Sequence, residues 1–303
     1  MMIAVFPGQG SQSPGFLSPW LELDGAAERL ARYSEWSGVD LVAAGTEWDA
    51  DRIRDTQVAQ PLIVAASLLS WNALPSRERV TGVAGHSVGE FAAAAAAGIL
   101  SEEDALRLVG IRGRAMAEAA AAEVTGMSAV LGGDESAVIA RLEELDLTPA
   151  NHNGGGQIVA AGSIESLQAL SAAPPAGTRV IALQVAGAFH TRYMAPAVDT
   201  LAAAAGEVEA SDPRVTVWTN RDGSVVSSGT AFRDLLVAQV ASPVRWDLCM
   251  AAFAEHGVSG IVELSPAGTL VGLAKRGLRG VPAVAVKTPE DLPAAGALVG
   301  ADA

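Results

Sequence analysis

The pentapeptide Gly85-His86-Ser87-Val88-Gly89 stands between a short apolar run, Val80-Thr81-Gly82-Val83-Ala84, and an alanine-rich stretch that begins at Glu90. It reads as a buried strand, a sharp turn and a helix, the setting in which a G-x-S-x-G elbow lifts a serine oxygen out of a sheet. Glycines on both sides allow the strained turn, and the start of the helix offers backbone N–H groups to a developing oxyanion. Such a turn needs an interior strand of a parallel sheet, so it narrows the fold to an α/β architecture. In a chain with 32 glycines the bare pattern is weak, and the alternative is an ordinary structural turn.

The rest of the 303-residue chain fits that architecture. A β-rich run, Ile3-Ala4-Val5-Phe6, leads into the loop Pro7-Gly8-Gln9-Gly10-Ser11-Gln12. The spacing predicts a helix over 57–74, entered through Pro61, and a second helix capped by Ser101-Glu102-Glu103-Asp104 that runs past Arg107, Arg112 and Met116. From Gly126 the units shorten: strand 127–131, helix 135–145, strands near 147–151 and 157–161, helix 164–170 and strand 179–185. That βαββαβ order is the split arrangement of a ferredoxin-like lobe. Parallel-sheet strands then resume at 215–219 and 260–264, with helices 232–239 and 246–255 between them and a short strand at 284–286. The expected fold is an α/β-hydrolase-like core with a parallel sheet plus an inserted ferredoxin-like lobe. Residues 1–124 and 189–288 form the catalytic subdomain, 125–188 the insertion, and 289–303 a loose alanine-rich tail.

Twenty Lys and Arg against 34 Asp and Glu give a net charge of −14, which works against nucleic acid or an anionic membrane as a partner. Any anionic ligand needs a local cation. The single cysteine, Cys249, excludes a disulfide framework and fits a reducing compartment. His86, His152, His190 and His256 show no metal-ligand spacing, so no metal is expected. The chain opens on a strand without a signal peptide, and its longest apolar run, 91–100, is half a bilayer span. These features predict a soluble, cytoplasmic protein.

A serine nucleophile at position 87 needs a base. His190, in Gly187-Ala188-Phe189-His190, lies where the insertion ends and the core returns; His256 ends a predicted helix, where capping is its ordinary role. His86 points away from Ser87 on an extended segment, and His152 sits in a polar, solvated loop. The Gly8-Gln9-Gly10 loop fails as a dinucleotide fingerprint because Ser13 replaces the third glycine. It reads as a plain turn or as a second wall of the Ser87 site. A serine hydrolase with Ser87, Asp222 and His256 in that order is the competing reading.

Taken together, Gly8-Gln9-Gly10-Ser11-Gln12, Gly85-His86-Ser87-Val88-Gly89-Glu90, Arg112 in Ile111-Arg112-Gly113, Gly187-Ala188-Phe189-His190, and Gln239 with Ser242-Pro243-Val244-Arg245-Trp246 resemble the malonyl-CoA:acyl carrier protein transacylases. The likeness runs from Ile3 to about Leu292 and is strongest to the discrete bacterial enzymes of fatty-acid synthesis, actinobacterial ones in particular. It implies malonyl transfer from malonyl-CoA to the phosphopantetheine thiol of a separate acyl carrier protein through a malonyl-Ser87 ester. No cofactor is implied beyond those two substrates. His190 becomes the base, oriented by an oxygen of Gln239, with the N–H groups of Gln9 and Val88 as oxyanion hole. Arg112 would pair with the malonyl carboxylate; its alternative is an exposed helix arginine paired with an acid. Phe189 and Val88 point to malonyl rather than methylmalonyl, and Met116, Gln60 and Asn153 would line the site, each with an alternative as an ordinary core or loop residue. The malonyl-transferring subunit of a malonate decarboxylase or a stand-alone polyketide acyltransferase would share these motifs, so the carrier served could belong to fatty acid or polyketide synthesis. Carriers of this kind are acidic, so Lys275, Arg276 and Arg279 are the candidate docking cluster, or else a solvated helix end. The expected assembly is a monomer.

Overall fold

The computed structural model describes residues 1–300. Ten strands run in chain order as β1 (Met2–Phe6), β2 (Gly82–Gly85), β3 (Thr125–Gly132), β4 (Thr148–Gly154), β5 (Gln157–Ser163), β6 (Thr178–Ala182), β7 (Thr216–Trp218), β8 (Val244–Arg245), β9 (Gly260–Glu263) and β10 (Ala283–Ala285). They build two sheets, ordered β10-β9-β1-β2-β7 and β6-β3-β5-β4-β8.

Every pairing in the first sheet is parallel. A parallel sheet is covered on both faces, which explains why β1 alternates between two apolar environments. Ala4 and Phe6, with Val83, pack beneath the helices Thr56–Ala73, Gly89–Ala96 and Glu102–Ala122. Ile3 and Val5, with Ala84, face Trp218, Trp246, Phe253, Leu270 and Leu273 on the other side. β1 and β2 end in register, Phe6 opposite Gly85, so the loop after β1 and the turn after β2 emerge together. The His86 N–H donates to the Phe6 carbonyl at 2.9 Å and ties the two exits to each other.

In the second sheet β6, β3, β5 and β4 are antiparallel. The helices Glu135–Glu144 and Ile164–Ala172 cover one face through Val130, Leu142, Ile158, Leu167 and Leu170. Met127, Val159 and Ala161 join the main core instead. The α/β core with a ferredoxin-like lobe is thus the observed fold.

Three details differ from the sequence reading. Strand β6 stops at Ala182, and 183–185 continues as irregular chain. β8, which follows the lobe by some distance in sequence, pairs with β4 in parallel, Asn151 opposite Val244, so the second sheet draws on both parts of the chain. The stretch expected to be a loose tail instead forms a turn at Pro289–Asp291 and a helix at Leu292–Val299. A capping box between Thr288 and Asp291 starts it, and Leu292, Ala295 and Val299, spaced for one helical face, are buried. Residues 301–303 of that expected tail lie outside the described residues. Among the described residues no helix is long and apolar enough to cross a membrane.

The elbow leaves no room for a side chain at its glycines. A Cβ on Gly89 would sit 2.1 Å from the Phe6 carbonyl oxygen, and one on Gly85 would sit 2.1 Å from the Glu90 nitrogen. Both obstacles are backbone, which cannot swing aside. Gly89→Ala is therefore expected to destabilise the fold by about 3 kcal/mol in urea unfolding. Gly206→Ala, whose added Cβ meets nothing within 4 Å, should be neutral or stabilising by up to about 1 kcal/mol.

Candidate active site

Ser87 adopts a left-handed conformation, φ 52°, at the turn between β2 and the helix Gly89–Ala96. Two distant side chains hold it there. The Ser87 N–H donates to Asn220 Oδ1 at 3.0 Å, and its carbonyl accepts from Gln239 Nε2 at 2.9 Å. Ser87 Oγ then lies 2.7 Å from His190 Nε2, and His190 Nδ1 lies 2.8 Å from the Gln239 carbonyl oxygen. A carbonyl can only accept, so Nδ1 carries the proton and Nε2 is free to take one from Ser87. His190 is itself left-handed, φ 62°, and nearly fully buried. Thr125 Oγ1, at the start of β3, accepts from the Ala188 N–H and anchors the segment that carries it. Burial, and next the positive charge of Arg112, press the His190 imidazolium down to a pKa of about 3. It is neutral at physiological pH.

Arg112 is 1 % exposed. Its two terminal nitrogens donate to Gln60 Oε1 at 2.6 Å and Gln239 Oε1 at 2.7 Å, while Nε has no partner among the described residues. The exposed, acid-paired arginine considered from sequence is therefore excluded: its direct partners are neutral amides. Burial lowers it to about 9, opposed by the charge of Glu90, so it remains a cation. Glu90 is also buried. Its Oε1 accepts from the Asn220 N–H at 2.7 Å and its Oε2 from Gln239 Nε2. Desolvation raises it to about 7 against the pull of those hydrogen bonds.

Ser87, His190 and Arg112 border a cleft of about 260 Å³ between the two sheets. Gln9, Gln60, Ser87, Val88, Arg112, Met116, Asn153, Phe189 and His190, expected together from sequence, all line it. Gln239 stands behind them and reaches His190 through its main-chain oxygen. His256 does not join: its Nδ1 bonds the Ala252 carbonyl at 2.8 Å and its ring packs against Trp218. Asp222 closes a turn on the Ser224 N–H. His86 turns away from Ser87 to Asn153 Oδ1, at 2.9 Å. His152, expected in a solvated loop, lies half-buried in β4 with Nδ1 3.7 Å from Glu135. The sequence reading did not find Asn220, nor a role for Glu90, nor Met127, Leu183, Val185 and Leu270 on the cleft wall. A lone acid opening the apolar run 91–100 was the available signal for Glu90.

The chain matches the acyl transferase domain family over residues 3–293. It is 56 % identical over 296 residues to the malonyl CoA-acyl carrier protein transacylase of Mycobacterium tuberculosis, covering 96 % of this chain and 98 % of that one. The crystal structure of MCAT from Mycobacterium tuberculosis superposes with a TM-score of 0.94 over 98 % of this chain and 100 % of that chain, at 56 % identity. A type II PKS acyl-carrier protein in complex with its malonyl-transacylase gives 0.88 at 32 % identity, covering 97 % of this chain and 98 % of that chain.

The geometry fits Ser87 as the candidate nucleophile, paired with a histidine that stays neutral well below ordinary histidine pH values. A fluorophosphonate probe should label Ser87, and His190→Ala should slow labelling by about 1,000-fold or more while His256→Ala leaves it unchanged. Between about pH 7.5 and 5.5 the labelling rate should stay level, where a base with an unshifted pKa near 6.5 would lose much of its activity. Intact-mass spectrometry across that pH range checks both outcomes.

Proposed function

The chain belongs to the malonyl-CoA:acyl carrier protein transacylases of the acyl transferase domain family, and from that membership we propose a role for each residue of the cleft. The enzyme moves a malonyl group from malonyl-CoA to the carrier's phosphopantetheine thiol in two half-reactions, serving fatty acid biosynthesis. In the first, Ser87 Oγ attacks the thioester carbon, its proton passes to His190 Nε2, and the carbon–sulfur bond breaks as His190 returns that proton to the departing CoA sulfur. In the second, His190 takes the carrier thiol's proton, the sulfur attacks the malonyl ester, and Ser87 recovers the proton. The N–H groups of Gln9 and Val88 receive the oxyanion in both.

One observation carries the choice of acyl group: a buried guanidinium with only amide partners and an unpartnered Nε shares a cleft with the Ser87–His190 pair. An anionic acyl tail ending there gains the charge-assisted, paired hydrogen bonds that the amides supply only singly. Phe189, buried on the wall, fills the space a C2 methyl would need, though apolar exclusion of this kind is worth only about 1 to 3 kcal/mol. Met116 and Gln60, joined by a 3.4 Å contact, support the Arg112 side, and Asn153 supports the His86 side.

The carrier approaches the mouth of this cleft. Thr269, Leu270 and Leu273, at the front of the helix Thr269–Gly277, line the cleft, while Lys275 and Arg276 near its end, with Arg279 beyond it, are exposed. Arg276 donates to Gln157 Oε1 on the rim at 3.0 Å. An acidic carrier would meet this patch at short range, because the chain's own net charge of −14 gives no long-range attraction. The same proposal takes the enzyme to be a cytoplasmic monomer, with residues 1–124 and 189–288 as catalytic subdomain and 125–188 as the ferredoxin-like subdomain.

Incubation with malonyl-CoA should add one malonyl mass to Ser87. Arg112→Ala should lower kcat/KM for malonyl-CoA by about 10- to 100-fold, the loss of a charge-assisted pair. Acetyl-CoA should hold steady or gain, because it leaves the buried cation unpaired in the parent enzyme. Arg112→Lys, which keeps charge without the fork, should fall nearer Ala. Paired kinetics on the three proteins decide the point, and equal losses for both acyl groups would assign Arg112 to the fold alone.

A further inference from the structure

Glu90 has no place in the reaction just described, yet it bonds both residues that hold Ser87, the main chain of Asn220 and the side chain of Gln239. One carboxylate oxygen takes the Asn220 N–H, and Asn220 takes the N–H of Ser87. The other takes Gln239 Nε2, and Gln239 Oε1 takes Arg112. A buried acid and a buried base thus face each other through a single amide. Without the acid, Arg112 would be a buried charge with no counter-charge beside it, an arrangement of high desolvation cost.

We propose that Glu90 is the charge-balancing partner of Arg112 across the Gln239 amide, and that it takes a proton from solvent when the malonyl carboxylate pairs with that guanidinium. This rests on the malonyl-binding role of Arg112 given above. With Glu90 ionised, guanidinium and carboxylate sum to zero; a second carboxylate would leave the buried cluster with a net negative charge. Protonating Glu90 restores neutrality, and no other nearby group can do so. Helix Glu102–Ala122 contributes only Arg112 to this face. Helix Thr56–Ala73 contributes neutral Gln60 and holds no ionisable residue. β1 and β2 hold none either. From helix Trp246–Glu255 comes Cys249, its thiol donating to the Thr219 carbonyl and kept neutral by burial. Arg233 and Asp234 on helix Gly229–Ala238 pair with each other at the surface, and the exposed Arg221, which borders the same small cavity as Glu90, is a fixed cation with no further proton to accept. His190, reached through Gln239, and His86 on the cleft wall are both held well below the usual imidazole range, chiefly by burial, so neither takes up a proton near pH 8. Thr219, which borders the same small cavity as Glu90, offers a hydroxyl oxygen that can accept the new O–H.

Burial has already raised Glu90 to about 7 in the empty site, so a modest further push changes its state. The sign follows: the carboxyl has a higher pKa in the complex, so binding takes up protons above its free pKa. Malonyl-CoA affinity is then level below that value and falls by up to about tenfold per pH unit above it. Acetyl-CoA, with no terminal carboxylate, has no such dependence.

The test is calorimetry of the full-length Ser87→Ala protein with malonyl-CoA at about pH 8, in buffers of different ionisation enthalpy. Acetyl-CoA, which carries the same phosphates, is the control. About one proton should be taken up with malonyl-CoA, none with acetyl-CoA, and none with either ligand after Glu90→Gln is added. Equal uptake for both ligands, or undiminished uptake with Glu90→Gln, overturns the inference. Should Glu90→Gln fail to fold, the pH dependence of malonyl-CoA affinity in Ser87→Ala decides alone, a flat profile overturning the proposal. Malonyl-CoA bound without proton uptake, while Arg112→Ala still removes the preference for malonyl over acetyl, refutes this inference and spares the Arg112 reading. Unchanged malonyl-CoA binding in Arg112→Ala refutes both.

Discussion

A serine held at φ 52° is the constraint on which the rest of the molecule depends. A residue with a Cβ avoids that region by about 1 kcal/mol or more, so the turn persists only where its surroundings over-determine it. Here the surroundings are glycines at 85 and 89, which let β2 and its helix close on the end of β1, and two side chains that clasp the Ser87 peptide from both sides. Asn220 follows β7 and Gln239 opens the short turn before β8, both more than 130 residues downstream of Ser87. Ser87 therefore takes its geometry only when β7 and the turn before β8 are in place. His190 imposes a matching demand on the inserted lobe, which must return the chain to the core at one place and in a left-handed conformation.

The same clasp sorts the charges of the site. Gln239 uses its carbonyl to fix the tautomer of His190, one end of its amide to receive Arg112, and the other to reach Ser87 and Glu90. Every polar atom of that side chain is thereby engaged, which is what a buried amide requires. Because the amide is neutral, it separates the acid from the base without cancelling either. A direct ion pair would instead hold Arg112 against Glu90 and leave less of its donor capacity for a substrate.

Much of this was legible in the sequence. The five parallel strands are short β-branched or apolar runs closed by glycine or polar turns, and the βαββαβ insertion shows as a change of unit length after Gly126. Ser87, His190, Arg112 and part of the cleft lining, Gln9, Gln60, Val88, Met116, Asn153 and Phe189, were found because local motifs and the family resemblance name positions. What escaped were partnerships between distant segments: Asn220 with Ser87, Glu90 with Gln239, and β8 with β4. No periodicity encodes those, since they arise only when loops at one end of the sheet converge. The C-terminal helix escaped for another reason. Its alanine content resembled a tail, but Thr288 and Asp291 form a capping box and Leu292, Ala295 and Val299 carry the spacing of a buried face.

The buried site also explains how so weak a base can serve. After desolvation, the strongest influence against protonating His190 is the charge of Arg112. On the proposed roles, the malonyl carboxylate cancels that charge as it binds, so the imidazole gains basicity just as its substrate is seated. An acetyl group brings no such compensation and meets a base still suppressed by its neighbour. Selection for malonyl then operates twice, once through the hydrogen bonds to the guanidinium and once through the proton affinity of the base. A carboxylate orienting His190 in place of the Gln239 carbonyl would raise the basicity of the imidazole for every acyl group alike, so the substrate's own contribution would be a smaller share of the base's activation. The neutral oxygen leaves that change to the substrate.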